Sequence, residues 1–66
     1  MALFFIFLYS DEHGFTALHL AAKDGRETAV DLLIARGANV HCTNMGEDTP
    51  LHVAASHGHL IIVQKV

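Results

Sequence analysis

A chain of 66 residues has room for one small domain, and its four basic side chains, Lys23, Arg26, Arg36 and Lys65, are scattered through a sequence of net charge −3. That distribution lacks the clustered basic stripe a phosphate backbone requires, which excludes nucleic acid as a partner. Cys42 is the single cysteine, so an intramolecular disulfide is ruled out and a half-buried thiol in a reducing, intracellular compartment is expected.

Met1 to Tyr9 is almost wholly apolar. As a helix this stretch would span about 14 Å, half of a bilayer core, so it cannot cross a membrane. No Lys or Arg stands before Leu3-Phe4-Phe5-Ile6-Phe7-Leu8, which argues against a secretory signal. Composition shifts at Ser10-Asp11-Glu12, and residues 1–10 read as an apolar leader outside the folded units, an alternative start or an imperfect gene boundary, expected to pack against the first unit as an apolar cap.

Asp11 to Gly14 reads as a turn, with the Asp11 carboxylate able to accept backbone amides and Gly14 tolerant of positive φ. Thr16 is an N-cap candidate for a helix carrying Leu18, Ala21 and Ala22 at helical spacing, which Gly25 ends. A second helix is predicted from about Glu27 to Ala35, with Val30, Leu33 and Ile34 on one face and Gly37 at its C-terminal stop. Ala38 to Met45 is an extended connection closed by the turn signal Asn44-Met45-Gly46. Pro50 suits the first turn of the next helix, and Gly58 separates that helix from Leu60 to Val66, which opens a fourth.

Thr16-Ala17-Leu18-His19-Leu20-Ala21-Ala22 returns as Thr49-Pro50-Leu51-His52-Val53-Ala54-Ala55, an offset of 33 residues, with Gly25 returning as Gly58 and Val30 as Val63. Motif and period together resemble the ankyrin repeat. The resemblance implies an all-α solenoid fragment of just under two helix-turn-helix repeats: residues 1–10 lie outside, 11–43 form one repeat, and 44–66 form a second, truncated in its second helix. Each repeat buries its apolar face only against a neighbour. Leu60, Ile61 and Ile62 are therefore expected at an exposed apolar end, and the isolated chain is not expected to fold robustly. Leu18, Ala21, Val30, Leu33, Leu51, Ala54 and Val63 are the expected core.

Six histidines raise the question of chemistry. His19 and His52 share one register, three residues after Thr16 and Thr49, where a hydrogen bond to the threonine or the neighbouring turn locks the helix start. His57 and His59 flank Gly58 at a helix-to-helix turn, whereas zinc needs three or four converging ligands, so no metal site is expected. His41 and Cys42 are adjacent in an extended stretch and point apart, which is wrong for a nucleophile and its base. With no phosphate loop, paired carboxylates or nucleophile elbow, the expectation is no catalytic residues, no cofactor and no enzyme.

The runs Asp11 to His19 and Gly46 to His59, with Ile34-Ala35-Arg36-Gly37-Ala38 and Ile62-Val63-Gln64-Lys65, further resemble the N-terminal ankyrin domain of the integrin-linked kinases. In that family the array is an adhesion-site scaffold that binds a LIM-domain adaptor, which implies a cytoplasmic protein-interaction module at cell-matrix contacts. The departures are Ala17 for the usual proline, the apolar pair Leu60-Ile61, and the unmatched leader. The expected docking strip runs over the turn tips and the exposed face of each first helix. It comprises Glu12, His13, Phe15, Lys23 and Asp24 in the first unit, and Met45, Glu47, Asp48, Ser56 and His57 in the second. Phe15 and Met45 are apolar anchors there, and Glu47 and Asp48 can meet basic side chains. The competing readings are a regulatory segment of an active protein kinase and a non-functional truncated product.

Overall fold

A computed structural model of the protein describes residues 10–66; the apolar leader, apart from Ser10, lies outside the described residues. Four helices follow in order, α1 (Ala17–Asp24), α2 (Glu27–Ala35), α3 (Pro50–Ser56) and α4 (Leu60–Lys65). Among the described residues no strand forms, and extended pairing is limited to one isolated bridge between Ser10 and Thr16.

The helix boundaries follow from the local chemistry. Thr16 and Thr49 sit in extended conformation (ψ 173° and 167°) and cap α1 and α3 with their hydroxyls. Pro50 occupies the first turn of α3, where a missing N–H leaves nothing unpaired. At the far end of α1, Gly25 turns left-handed (φ +72°), so that its N–H and that of Arg26 return to the carbonyls of Ala22 and Ala21. The same paired return closes α2 at Gly37 and Ala38, and α3 at Gly58 and His59, where it satisfies carbonyls the helix leaves free.

α1 packs on α2 and α3 packs on α4, while each helix of the second unit also rests on its counterpart in the first, α3 on α1 and α4 on α2. The core between them is Leu18, Ala21, Ala22, Val30, Leu33, Ala54 and Ile62. Alanines on α1 and α3 let the backbones approach, and Leu18, Val30 and Ile62 fill the space between. Each of these three fully buried side chains contributes roughly 1.5–3 kcal/mol of transfer free energy.

Two core expectations need correcting. Leu51 is 40% exposed and Val63 only half-buried, whereas Ile62, expected at an open apolar end, is 1% exposed. The cause is direction. Leu18 faces the second unit, so its equivalent Leu51 faces outward in the same sense, while Ile62 faces back onto the first unit and joins the shared core. Leu60 and Ile61 are exposed at 71% and 53%.

Candidate docking surface

Both turns are built by one device. The Asp11 Oδ1 atom accepts the amides of His13 and Phe15, each at 2.9 Å. The Phe15 amide, followed by that of His13 and by the positive side chains nearby, holds the Asp11 carboxyl below its ordinary value of 3.8. In the second unit Asn44 does the same with a neutral oxygen, accepting Gly46 N–H at 2.8 Å and Asp48 N–H at 2.9 Å. Asn44 is itself buried, and the 33-residue offset from Asp11 is the signal that identifies its role.

The turns stack. Met45 N–H donates to the His13 carbonyl at 3.0 Å, and a Cβ on Gly14 would stand 3.0 Å from the Met45 nitrogen and 3.2 Å from the Asn44 Cα. Gly14, at φ +80°, thus serves both conformation and close approach. Glu47 occupies the equivalent place in the second turn and keeps the left-handed backbone, φ +63°, with a side chain attached.

Behind the tips, His19 ties the two units together. The Thr16 hydroxyl and amide lie 2.8 and 3.2 Å from its Nδ1 atom, and its Nε2 atom is 2.7 Å from the Asp48 carbonyl. A carbonyl can only accept, so Nε2 carries the proton and Nδ1 accepts from Thr16. His52 repeats the Thr49 contacts at 2.8 and 3.2 Å but is exposed. The Cys42 sulfur, half-buried, lies 3.6 Å from the Thr16 hydroxyl and 3.9 Å from His19 Nδ1, while His41 is exposed.

Of the candidate contact residues, His13 and Met45 are joined through the stacked turns, and Glu12 lies 3.8 Å from the His13 ring. Lys23 places its ammonium 6.0 Å from the Phe15 ring centre, and Phe15 meets the His19 ring edge-on at 5.7 Å. Phe15 is consequently a half-buried floor, whereas Met45 is 77% exposed. Glu47 and Asp48 are exposed beside it. Asp24 belongs elsewhere: its carboxylate is 4.0 Å from Arg26, and it borders a depression lined by Leu20, Ala29 and Leu32. Ser56 donates to the Val53 carbonyl at 3.1 Å, and His57 Nδ1 reaches the same oxygen at 2.9 Å, so the His57 ring folds back on its own helix.

His59, whose part the sequence left open, bridges the units with Nε2 2.9 Å from the Lys23 carbonyl. Its ring lies over Gly25, where a Cβ would come within 2.7 Å of His59 Cε1. The rings of His57 and His59 are parallel, 7° apart in plane at 6.3 Å, each with one nitrogen on a carbonyl. Among the described residues no three His, Cys, Asp or Glu side chains converge as a metal would require.

Two stacked helix pairs, capped identically and joined turn to turn, match the sequence profile of ankyrin repeats (many copies) over residues 18–65. The chain belongs to the ankyrin-repeat family. Within it, the chain is similar to the human scaffold protein ILK, 57% identical over 39 residues, covering 59% of this chain and 9% of that protein. It is similar likewise to the Caenorhabditis elegans integrin-linked protein kinase homolog pat-4, 54% identical over 41 residues, which is 62% of this chain and 9% of the relative. A transient receptor potential cation channel subfamily A member 1 homolog from the same worm is 38% identical over 61 residues, 92% of this chain and 5% of the channel. The ankyrin chain therefore spans less than a tenth of the length of each of these relatives. Ankyrin repeats mark it as a protein-interaction module, and among the described residues no helix is long and apolar enough to cross a membrane.

Proposed function

We propose that this ankyrin chain is a docking piece of an integrin-linked-kinase-type scaffold, and that its strip of turn tips and first helices takes a LIM-domain adaptor at cell-matrix adhesion sites on the cytoplasmic side. The observation that carries the reading is the stacked pair of tips, which presents Met45 with the carboxylates of Glu47 and Asp48 on a base fixed by the Met45–His13 backbone bond. An exposed methionine supplies an apolar anchor that adapts to a partner's pocket, and flanking carboxylates select a basic rim. His13 and Glu12 extend the strip at the first tip, Phe15 and Lys23 form its floor, and Ser56 with His57 border it along α3. In this reading the units are residues 11–43 and 44–66, and the protein acts by holding partners together, without catalysis. Similarity to the scaffold protein ILK supports the scaffold role.

Calorimetric titration of a purified LIM-domain adaptor into the chain tests the reading. Met45→Ala and Asp48→Ala are each expected to weaken binding by about 1–2 kcal/mol with the helical spectrum unchanged. Heat of binding that is absent for the unaltered chain, or equal for all three, removes this surface from the function.

A further inference from the structure

Among the described residues, Leu60 and Ile61 are the only neighbours in sequence whose large apolar side chains both stand exposed, at 71% and 53%. Counted 33 residues back, their places belong to Glu27 and Thr28. Both of those are exposed although the second unit is stacked on the first, with α4 resting on α2. This corner of a helix pair therefore stays open to water even when a neighbouring unit covers the rest. The first unit fills it with side chains suited to water, and the second unit fills it with leucine and isoleucine. Adjacent exposed apolar side chains beside a groove mark a contact surface.

The groove is there. About 320 Å³ in volume, it is lined by Gly25 and Gly58 of the two helix-to-helix turns, by Leu60 and Ile61, and by the polar side chains of Glu27 and His59. Its polar character is one-sided. His59 spends its Nε2–H on the Lys23 carbonyl at 2.9 Å, which leaves Nδ1 of the neutral ring with a lone pair and no proton to give. Glu27 adds a carboxylate. Among the described residues, Asp24 has Arg26 at 4.0 Å and Asp31 has Lys65 at 3.0 Å, whereas Glu27 has no cation within ion-pair distance. The polar side chains of the groove thus accept and carry negative charge, beside an aliphatic wall. A guanidinium answers both features, since its planar fork donates to a carboxylate and its weak hydration suits an apolar neighbour.

We propose that this groove docks an extended protein segment in which an arginine stands beside a leucine or isoleucine, with the guanidinium on Glu27 and the aliphatic side chain against Leu60 and Ile61. The groove lies at the ends of α1 and α3 remote from the turn tips, so the two surfaces can be occupied together. The test titrates the acetylated and amidated peptide Ala-Leu-Arg-Leu-Ala into the isotope-labelled full chain and follows its NMR spectrum. Saturable shifts are expected at the Gly25 and Gly58 amides and the Leu60 and Ile61 methyls. Glu27→Gln should weaken binding about two- to fivefold, the scale of one exposed ion pair. Leu60→Gln combined with Ile61→Thr, a polar pair of the first unit's kind, should abolish the shifts with the helical spectrum unchanged. The same peptide with glutamate for arginine should leave the groove unmoved. Absence of groove shifts with the arginine peptide, or equal binding by the two peptides or by Glu27→Gln, overturns the proposal. Shifts confined to the amides of Met45, Glu47 and Asp48 give the basic segment to the turn tips and overturn it equally.

Discussion

His19 and His52 perform the same local task in the same sequence context, and only His19 also reaches across to the other unit. Replacing each by alanine in turn isolates the bond between units with an internal control. His19→Ala removes the side-chain contacts with Thr16, leaves the Asp48 carbonyl with the Asn44 N–H alone, and empties a site that is 0% exposed. With roughly 1 kcal/mol for each of three lost hydrogen bonds, the expected destabilisation is about 3 kcal/mol. His52→Ala removes the cap alone from an exposed position, so about 1 kcal/mol is expected. Urea unfolding followed by circular dichroism reads the difference. At a slope near 1 kcal/mol per molar for a domain of this size, the two midpoints should stand about 2 M apart. Equal midpoints would refute the claim that the His19–Asp48 bond couples the units, and a larger loss for His52→Ala would reverse it.

Gly25→Ala should destabilise by about 2 kcal/mol, because a left-handed backbone is strained and the displaced His59 ring loses the Lys23 carbonyl. Gly58→Ala, at φ +74° with open space around the site, should lose only about 1 kcal/mol in the same assay. The depressed pKa of Asp11 means that its contribution is complete above the ordinary carboxyl value of 3.8 and is lost as pH falls through the lower folded value. Asp11→Asn keeps an accepting oxygen, as Asn44 does, so unfolding midpoints compared at neutral pH and at pH below 3.8 should fall less for the variant than for the unaltered chain. Lys65→Met removes an ion pair from Asp31, itself 58% exposed, and should change stability by less than about 1 kcal/mol.

Much of this architecture was legible in the residues. Thr16 and Thr49 announced both first helices, the glycines marked helix ends, and α2 begins at Glu27 and ends at Ala35 as its apolar spacing predicts. The role of His19 was readable because the neighbouring turn was a candidate acceptor from the start. What periodicity could not supply was the direction of each face. Leu18 and Leu51 hold the same place in the repeated motif, yet one is 2% exposed and the other 40%, since only the first has a neighbouring unit over it among the described residues. His59 was opaque for a related reason: its partner is the backbone of Lys23, and no side-chain pattern advertises a carbonyl. At the candidate surface, chemical type read correctly as exposed and charged for Glu47 and Asp48. The edge contact that makes Phe15 a floor required the ring of His19 to be placed first.

The two turns share a hydrogen-bond plan and differ in what stands at its left-handed position. Where the first turn has no Cβ and the second turn settles on its backbone, the second carries the Glu47 side chain on an equally left-handed backbone. A body approaching the second tip therefore meets a carboxylate where the second tip itself met bare main chain. The strip has a polarity: at one end a backbone seat already taken, at the other an acidic, methionine-bearing edge.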